Sequence, residues 1–479
     1  MARKKRQMLI AKEKKGSSSL RVWLIVLIFL LIGAAACYAL LPDRESPRIV
    51  LNPGKKYLNS GSVVQVNIRD TGAGLEKIRV SAFQDGEKRG LINKDFGGVL
   101  QQMSVQNGTK WSLFDQGFPD HPQRWAKGIS VSEMDLQEGE FRLKVRARDG
   151  SWINLLSGNR ASAKRTYVLD STAPRVRLES FRNNLTRGGS GAVAFRVKGK
   201  ARRVGVSVGD AFFPAYRQDS GPFLALYAYP YDLAAGEKSP VVLAKDRAGN
   251  MASTKLQCFV NPRDPPREKI RLDSAFLRKT LHTFRKAYPQ IENRLSVFAA
   301  VNERLRRKAR ARLQKIGRNT VPHPMWSGAF LRQPASARQS SFAVKRSYYH
   351  DSRKISRATH LGIDLASTPQ AKVPAANRGR VVYAEELGIY GKTVLLDHGL
   401  GLQSLYGHLS RIRVEKGQRV NKGEVIGRTG STGLAGGDHL HFQMIISGIP
   451  VDPVEWWDEN WIRLHIRPKL RQAGLSVKN

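Results

Sequence analysis

The chain has 479 residues, 41% of them apolar, which is too long for one hydrophobic core and too apolar for a disordered polymer, so several folded domains are expected. Lys and Arg number 81 against 39 Asp and Glu, and the resulting net charge of +42 favours polyanionic partners: nucleic acid, acidic lipid or cell-wall polymer. With two cysteines in all, thiolate metal clusters and C-x-x-C redox chemistry are excluded.

Residues 1–21 form a basic tail with eight Lys or Arg against one acid, Glu13. The following stretch, 22–41, "VWLIVLIFLLIGAAACYALL", carries no charge and is long enough to span a bilayer as a helix. By the positive-inside rule the tail stays cytoplasmic and the remainder crosses, which predicts a single-pass inner-membrane protein with its bulk in the periplasm. A cleaved signal peptide is the competing reading, since "GAAAC" offers small residues, but the apolar run continues past Cys37. Cys37 lies within the span, so no disulfide with Cys258 is expected. This placement excludes nucleic acid as the partner of the basic charge.

Residues 42–171 alternate in period two, as in "SVVQVNIRD" and "EFRLKVRARD" with the turn "DTGAG" between, the pattern of half-buried strands. A second block, 172–262, repeats it in "GAVAFRVKG" and "RVGVSVGD". Both end alike: "RARDGSWIN" leads to "DSTAPR", and "LAKDRAGN" to "RDPPR". This ending resembles bacterial immunoglobulin-like domains, which implies two β-sandwiches serving as spacers or docking surfaces. The stretch 84–135 reads as an insertion in the first, and lone His121 as a loop residue. No cluster of His or paired acids stands out in either block.

Residues 263–320 read as a helical linker. Asp273 is a good N-cap for "SAFLRKTLHTFRKAYP", and a second amphipathic stretch, 293–317, follows after a short loop. Between Arg304 and Arg318 stand eight basic residues and no acid, which reads first as a solvated helix face and second as a grip on anionic polymer. The helices are expected to brace or cover what comes next.

From 321 to 470 short strands with Gly turns return, and this unit holds His360, His398, His408, His439 and His441. In "HLHF" the strand alternation puts His439 and His441 on one face. In "THLGIDLA", His360 and Asp364 would stand about 13 Å apart in an extended chain, so the segment must turn, and Gly362 permits it. Either motif alone is common at strand edges; together in one small β unit they point to a metal site with an adjacent base.

These residues resemble the lysostaphin and LytM family of zinc peptidases that cut peptidoglycan cross-links, through "HLGIDLA", "VPAANRGRVVYA", "LLDHGLGLQSLYGHLS", "VEKGQRVNKGEVIGRTGSTG" and "HLHF" with "GIPVDPVEWW". The resemblance implies a mainly β fold with a C-terminal antiparallel peptidase domain. It further implies one Zn2+ held by His360, Asp364 and His441, with His408 and His439 as catalytic histidines sharing base, acid and oxyanion support. Two imidazoles and one carboxylate leave a fourth position for water, the pattern of catalytic zinc. His398 reads as a loop or supporting residue, and Asp438 as a turn end.

The expected function is thus a membrane-anchored zinc endopeptidase hydrolysing peptidoglycan cross-links; the resemblance implies a D-alanyl to diaminopimelate bond in a Gram-negative envelope, and the sequence leaves a glycine bridge open. Its partners are peptidoglycan and the inner membrane; no residue pattern singles out a wall-synthesis or division protein. The rival, a non-catalytic LytM-domain activator of another wall hydrolase, predicts missing ligands, whereas all five family positions are filled. A sandwich adhesin would leave the histidines without purpose.

Overall fold

The computed structural model describes residues 18–40, 43, 45–97, 121–151, 157–180 and 183–475, with side chains of the first helix given over 22–33 only and that of Leu281 left out. That helix runs Ser18–Leu40, and its described side chains are all exposed. Among the described residues no helix is long and apolar enough to cross a membrane, so the anchor expected over 22–41 gains no support here. The Cys37 side chain lies outside the described residues. The chain divides into two compact units at Ser171/Thr172.

In the first unit, Arg48–Asn52, Val63–Arg69 and Arg124–Ser130 form a three-stranded sheet. Five strands form another, in the order Tyr57–Leu58, Arg160–Leu169, Gly139–Asp149, Leu75–Gln84, Glu87–Asp95. Alternation fixes the core: Val64, Val66 and Ile68 from one sheet meet Ile78, Val80, Phe141, Leu143, Val145 and Tyr167 from the other. Each such fully buried side chain contributes roughly 1.5–3 kcal/mol of apolar burial. The supposed insertion is partly structural, since Arg124–Ser130 pairs along the whole of Val63–Arg69. His121 is a loop residue, as expected, yet it is buried, and its Nε2–H donates to the Gly97 carbonyl at 2.7 Å. Three aspartates, Asp43, Asp70 and Asp149, converge here, although the sequence shows no acidic pair.

In the second unit, residues 172–262 build two four-stranded sheets. The strands Ser190–Lys198 and Phe223–Ala228 are buried on both faces over most of their length, and this is why "GAVAF" does not alternate. Their second face meets the end of the chain. Residues 453–472 are helical, a departure from the all-β expectation: Asp452 caps Pro453–Trp457, Asp458 caps Glu459–Trp461, and the helix continues to Gln472. Trp456, Ile462, Ile466 and Leu470 join the sandwich residues Val193, Phe195 and Leu226 in one core. The Trp456 indole N–H donates to Ser190 Oγ at 3.0 Å, and the Ser190 N–H to Glu455 Oε2 at 2.7 Å. This second block is therefore packed into the C-terminal unit and does not stand apart as a spacer.

The linker begins with a strand, where helix was expected: Arg267–Arg271 runs parallel to Lys345–His350, which pairs antiparallel with Arg353–Thr359. The helix Ser274–Phe284 follows, capped as expected by Asp273, which accepts the Phe276 N–H at 2.7 Å. The return helix starts at Arg294 and runs to Ile316. Phe298 anchors the pair, with its ring 6.0 Å from Phe276 and 5.1 Å from Tyr348. Of the eight basic residues, Arg304, Arg307, Lys308, Arg312, Lys315 and Arg318 face solvent, while Arg306 bonds Asn302 and Arg310 donates to the Thr359 carbonyl.

The main sheet has the order Ala337–Ser340, Ile363–Ala366, Leu440–Ile446, Leu402–Leu409, Lys392–Asp397, Gly379–Glu386, Arg419–Val420, with Ile449–Val451 paired beside it. His398, in the turn just after Lys392–Asp397 as expected of a loop residue, is nonetheless fully buried: its Nδ1–H donates to the Arg378 carbonyl at 2.8 Å and its Nε2 lies 2.7 Å from the Ser404 hydroxyl. Burial lowers it to about 4, so it stays neutral.

Glu455 makes the junction between sandwich and C-terminal helix pH-sensitive. Burial, reinforced by Asp452, pushes its carboxyl up to about 8 despite the Ser190 N–H that favours the anion. The folded value exceeds the unfolded one, about 4.3. Its stabilising contribution is therefore complete below about pH 4.3 and lost as pH rises through 8. Denaturant unfolding of the second unit is expected to show stability falling between pH 5 and 8, with Glu455→Gln flattening that fall; an unchanged slope would refute the assignment.

Candidate metal centre

The strand register assembles the site. In Ile363–Ala366, Asp364 pairs directly with His441 of Leu440–Ile446, whose other neighbour is Gly407. His360 precedes this strand at the end of the turn from Arg353–Thr359. Its Nε2 lies 2.9 Å from Asp364 Oδ1 and 3.0 Å from His441 Nδ1, and His441 Nδ1 is 2.9 Å from the same Asp364 oxygen. All three residues are at most 7% exposed.

Gly362 is required for space. A side chain there would put its first carbon 2.6 Å from the His441 ring and 2.6 Å from the Phe442 carbonyl. The glycine expected to permit a turn thus lets the imidazole lie against the backbone.

Each imidazole is oriented by its outer nitrogen. His360 Nδ1–H donates to the Ser341 carbonyl at 2.9 Å, which leaves Nε2 as the inward lone pair. His441 Nε2 faces Gln443 Oε1 at 3.4 Å, which leaves Nδ1 inward. Two neutral imidazoles and a carboxylate around one point fit zinc. Donors at about 2.0–2.1 Å from a tetrahedral ion stand about 3.3 Å apart, so adjustments of a few tenths of an ångström complete the fit.

Burial alone would raise Asp364, but His360, His439 and His441 hold it well below the usual carboxylate range. Its second oxygen accepts from Arg346 Nη2 at 3.0 Å, and Arg346 Nε donates to Glu268 Oε2 at 3.1 Å. Sequence reasoning missed Arg346. No motif marks it, and only the pairing of Lys345–His350 with its neighbours brings it to the site.

His439 and His408 flank the trio. His439 Nδ1–H donates to the Gly437 carbonyl at 3.0 Å, and Nε2 stands 3.6 Å from Asp364 Oδ1. His408 has φ +62 in a bulge where Gly407 and His408 oppose Thr393. That left-handed backbone, sparsely populated by residues other than glycine, is the kind of strain found at functional sites. It brings the His408 ring to 4.9 Å from that of His439 and 5.7 Å from His441. His408 Nδ1–H donates to the Thr432 carbonyl at 2.8 Å. Burial and the neighbouring imidazoles push His408 well down, whereas His439, lowered by burial, is raised overall by Asp364. The two thus differ in proton affinity. Asp438 ends a turn, accepting the Gln370 N–H at 3.1 Å.

These residues open into a cleft of about 720 Å³. One wall comes from the upstream segment, through Phe276, Lys279 and Arg306, so the helices brace the cleft as well as the sheet.

Residues 358–453 match the family model of Peptidase family M23, and the C-terminal region carries an M23, LytM-type, peptidase domain. The DD-carboxypeptidase/endopeptidase Mpg of Neisseria meningitidis is 42% identical over 95 residues, 20% of this chain and 22% of that protein. The Peptidoglycan DD-endopeptidase ShyA of Vibrio cholerae is 35% identical over 130 residues, 26% of this chain and 30% of its own length. Both matches thus span less than a third of the relative. The catalytic domain of the antimicrobial peptidase lysostaphin from Staphylococcus simulans matches at 25% identity and a TM-score of 0.22, covering 26% of this chain and 92% of that one.

Gly362→Ala is expected to displace His441 and lower zinc affinity about 10- to 100-fold, the range for disturbed ligand orientation. Metal analysis of the purified variant checks this; a zinc content equal to the parent's at limiting metal would refute it.

Proposed function

We propose that the protein is a membrane-anchored zinc endopeptidase that hydrolyses peptide cross-links of peptidoglycan on the periplasmic side of the inner membrane. The observation that carries this reading is the convergence of His360, Asp364 and His441 beside His408 and His439, all five at most 8% exposed and open to one cleft. The Peptidoglycan DD-endopeptidase ShyA of Vibrio cholerae supports peptidoglycan as substrate, and the DD-carboxypeptidase/endopeptidase Mpg of Neisseria meningitidis supports endopeptidase activity. The charge-free run 22–41 behind a basic tail supports the anchor and the orientation.

His360 Nε2, Asp364 Oδ1 and His441 Nδ1 would hold the zinc, which when bound would supply Lewis-acid polarisation of the scissile carbonyl and a water of lowered pKa. The chain's own residues do the rest. His408, held neutral by burial with Nδ1 committed to Thr432, offers Nε2 as the base. His439, whose proton affinity Asp364 raises, suits the acid that protonates the leaving amine. Arg346 fixes Asp364 through the oxygen not turned to His360 and His441.

Digestion of purified cross-linked peptidoglycan, with products read by mass, tests the proposal. Cross-linked dimers are expected to disappear with zinc and to persist with a chelator or with His441→Ala, and His408→Ala is expected to slow cleavage about 10²- to 10⁴-fold. Dimers left intact by zinc-loaded protein would overturn the endopeptidase and favour an activator of another hydrolase.

A further inference from the structure

The convergence of Asp43, Asp70 and Asp149 in the first unit has no part in the peptidase site. Asp43 precedes the first strand, Asp70 follows Val63–Arg69, and Asp149 ends Gly139–Asp149. They are 5%, 2% and 0% exposed, and one oxygen of each lies within 4.8 Å of the others.

Backbone donors set the carboxylates in place. Asp70 Oδ2 accepts from the N–H groups of Gly72 at 3.2 Å and Gly74 at 2.8 Å. Asp43 accepts from Glu45 N–H at 3.0 Å and Ala73 N–H at 2.8 Å. Asp149 accepts from Ser151 and Asn159, including the Asn159 side-chain amide at 2.9 Å. A side chain on Gly72 would overlap the Asp43 carboxylate, so the glycine makes the approach possible.

Charge neutralisation is what these bonds leave undone. Burial raises Asp70, as do the charges of Asp43 and Asp149, against the Gly74 and Gly72 N–H groups. A second observation points to a ligand. Asp70, which lies in this cluster, has a buried Oδ1 with no hydrogen-bond partner among the described residues. Buried anionic oxygens are ordinarily paired with a cation or a metal.

The matching turn of the second block shows that the fold does not require the cluster. Asp246 accepts from Gly249 N–H at 2.7 Å, Asn250 N–H at 2.9 Å and the Asn250 side-chain amide at 2.7 Å. Among the described residues, no second acid joins it in a group of three. Asp43 and Asp70 are additions to a turn that closes without them.

We propose that Asp43, Asp70 and Asp149 form a calcium site. The donors are all oxygen, with neither His nor Cys, which selects a hard cation over zinc or copper. They come from three separate chain segments, an irregular shell that suits Ca2+, with 6–8 ligands at 2.3–2.6 Å, better than the octahedron Mg2+ demands. Bound there, the ion fastens the entry of the unit at Asp43 to the ends of two core strands. The inference is independent of the peptidase reading.

The test is hydrogen–deuterium exchange of the full chain in detergent, zinc-supplied and calcium-free, against added calcium chloride or magnesium chloride. Calcium is expected to protect amides at 43–45, 70–74 and 149–159 with a half-effect on the order of 10⁻⁴–10⁻³ M, the range of extracellular modules, and magnesium to do so far less. Asp70→Asn is expected to weaken the calcium effect roughly tenfold or more, as affinity follows ligand charge; Asp43→Asn, next to the chain entry, serves as the second variant should the first misfold. Absence of calcium protection at millimolar concentration, or an unchanged response in both variants, overturns the proposal. So does a parent that ignores calcium while Asp70→Asn gains thermal stability, since the cluster would then be held by protons.

Discussion

The C-terminal unit is organised around one buried oxygen. Asp364 Oδ1 lies 2.9 Å from nitrogens of both His360 and His441 and 3.6 Å from His439. An anion this deeply buried cannot be tolerated alone, so the surrounding architecture is constrained to deliver polar groups to it. Antiparallel register places His441 directly across, Gly362 makes room for its ring, and the turn after Thr359 returns His360 to the same point. The other oxygen is satisfied by Arg346, which belongs to a different sheet. A site of two imidazoles and a carboxylate thus depends on a sheet whose edge strand, Arg267–Arg271, comes from the linker and supplies Glu268 to hold Arg346.

That dependence changes what the upstream segments are for. The helices share a core with the three-stranded sheet through Phe298 and Tyr348, meet the main sheet through Val297 and Leu313 against Leu395 and Leu405, and form one wall of the cleft. The sandwich of 172–262 lends both faces of its central strands to burial, one against its own second sheet and one against the C-terminal helix. Trp456 and Glu455, one turn beyond the last strand, meet the same Ser190. Cleft shape is therefore tied to sandwich packing through rigid contacts, an arrangement expected where first-ligand geometry must hold within a fraction of an ångström.

Much of the site was legible because its chemistry is local in sequence. H-x-H fixes two imidazoles on one face by strand alternation alone, and H-x-x-x-D demands a turn by distance alone. The N-cap at Asp273 was equally local. What could not be read depended on register between distant segments. Arg346 reaches Asp364 across a sheet boundary, and Asp70 and Asp149 meet although they lie far apart in sequence, each having the appearance of an ordinary turn residue. The terminal helix escaped notice because its apolar residues, Trp456, Ile462, Ile466 and Leu470, follow a peptidase motif that already accounted for its beginning. The strand at "GAVAF" was read correctly, but not its burial on both faces, which depends on the distant C-terminal helix.

The charge excess sharpens the contrast between the two carboxylate clusters. Most of the basic strip on Arg294–Ile316 faces water, where hydration and salt compensate it and its field falls off within about 8–10 Å. Such charge draws polyanions to the surface without neutralising anything inside. Interior carboxylates must find their counter-charge at contact distance. Around Asp364 the fold supplies three imidazoles and a guanidinium, and the imidazoles are soft enough donors to select zinc. Around Asp70 the described residues supply N–H dipoles and two more carboxylates, which orient the oxygens and leave the charge. The nitrogen content of the shell, not the net charge of the chain, sets which class of cation each cluster suits.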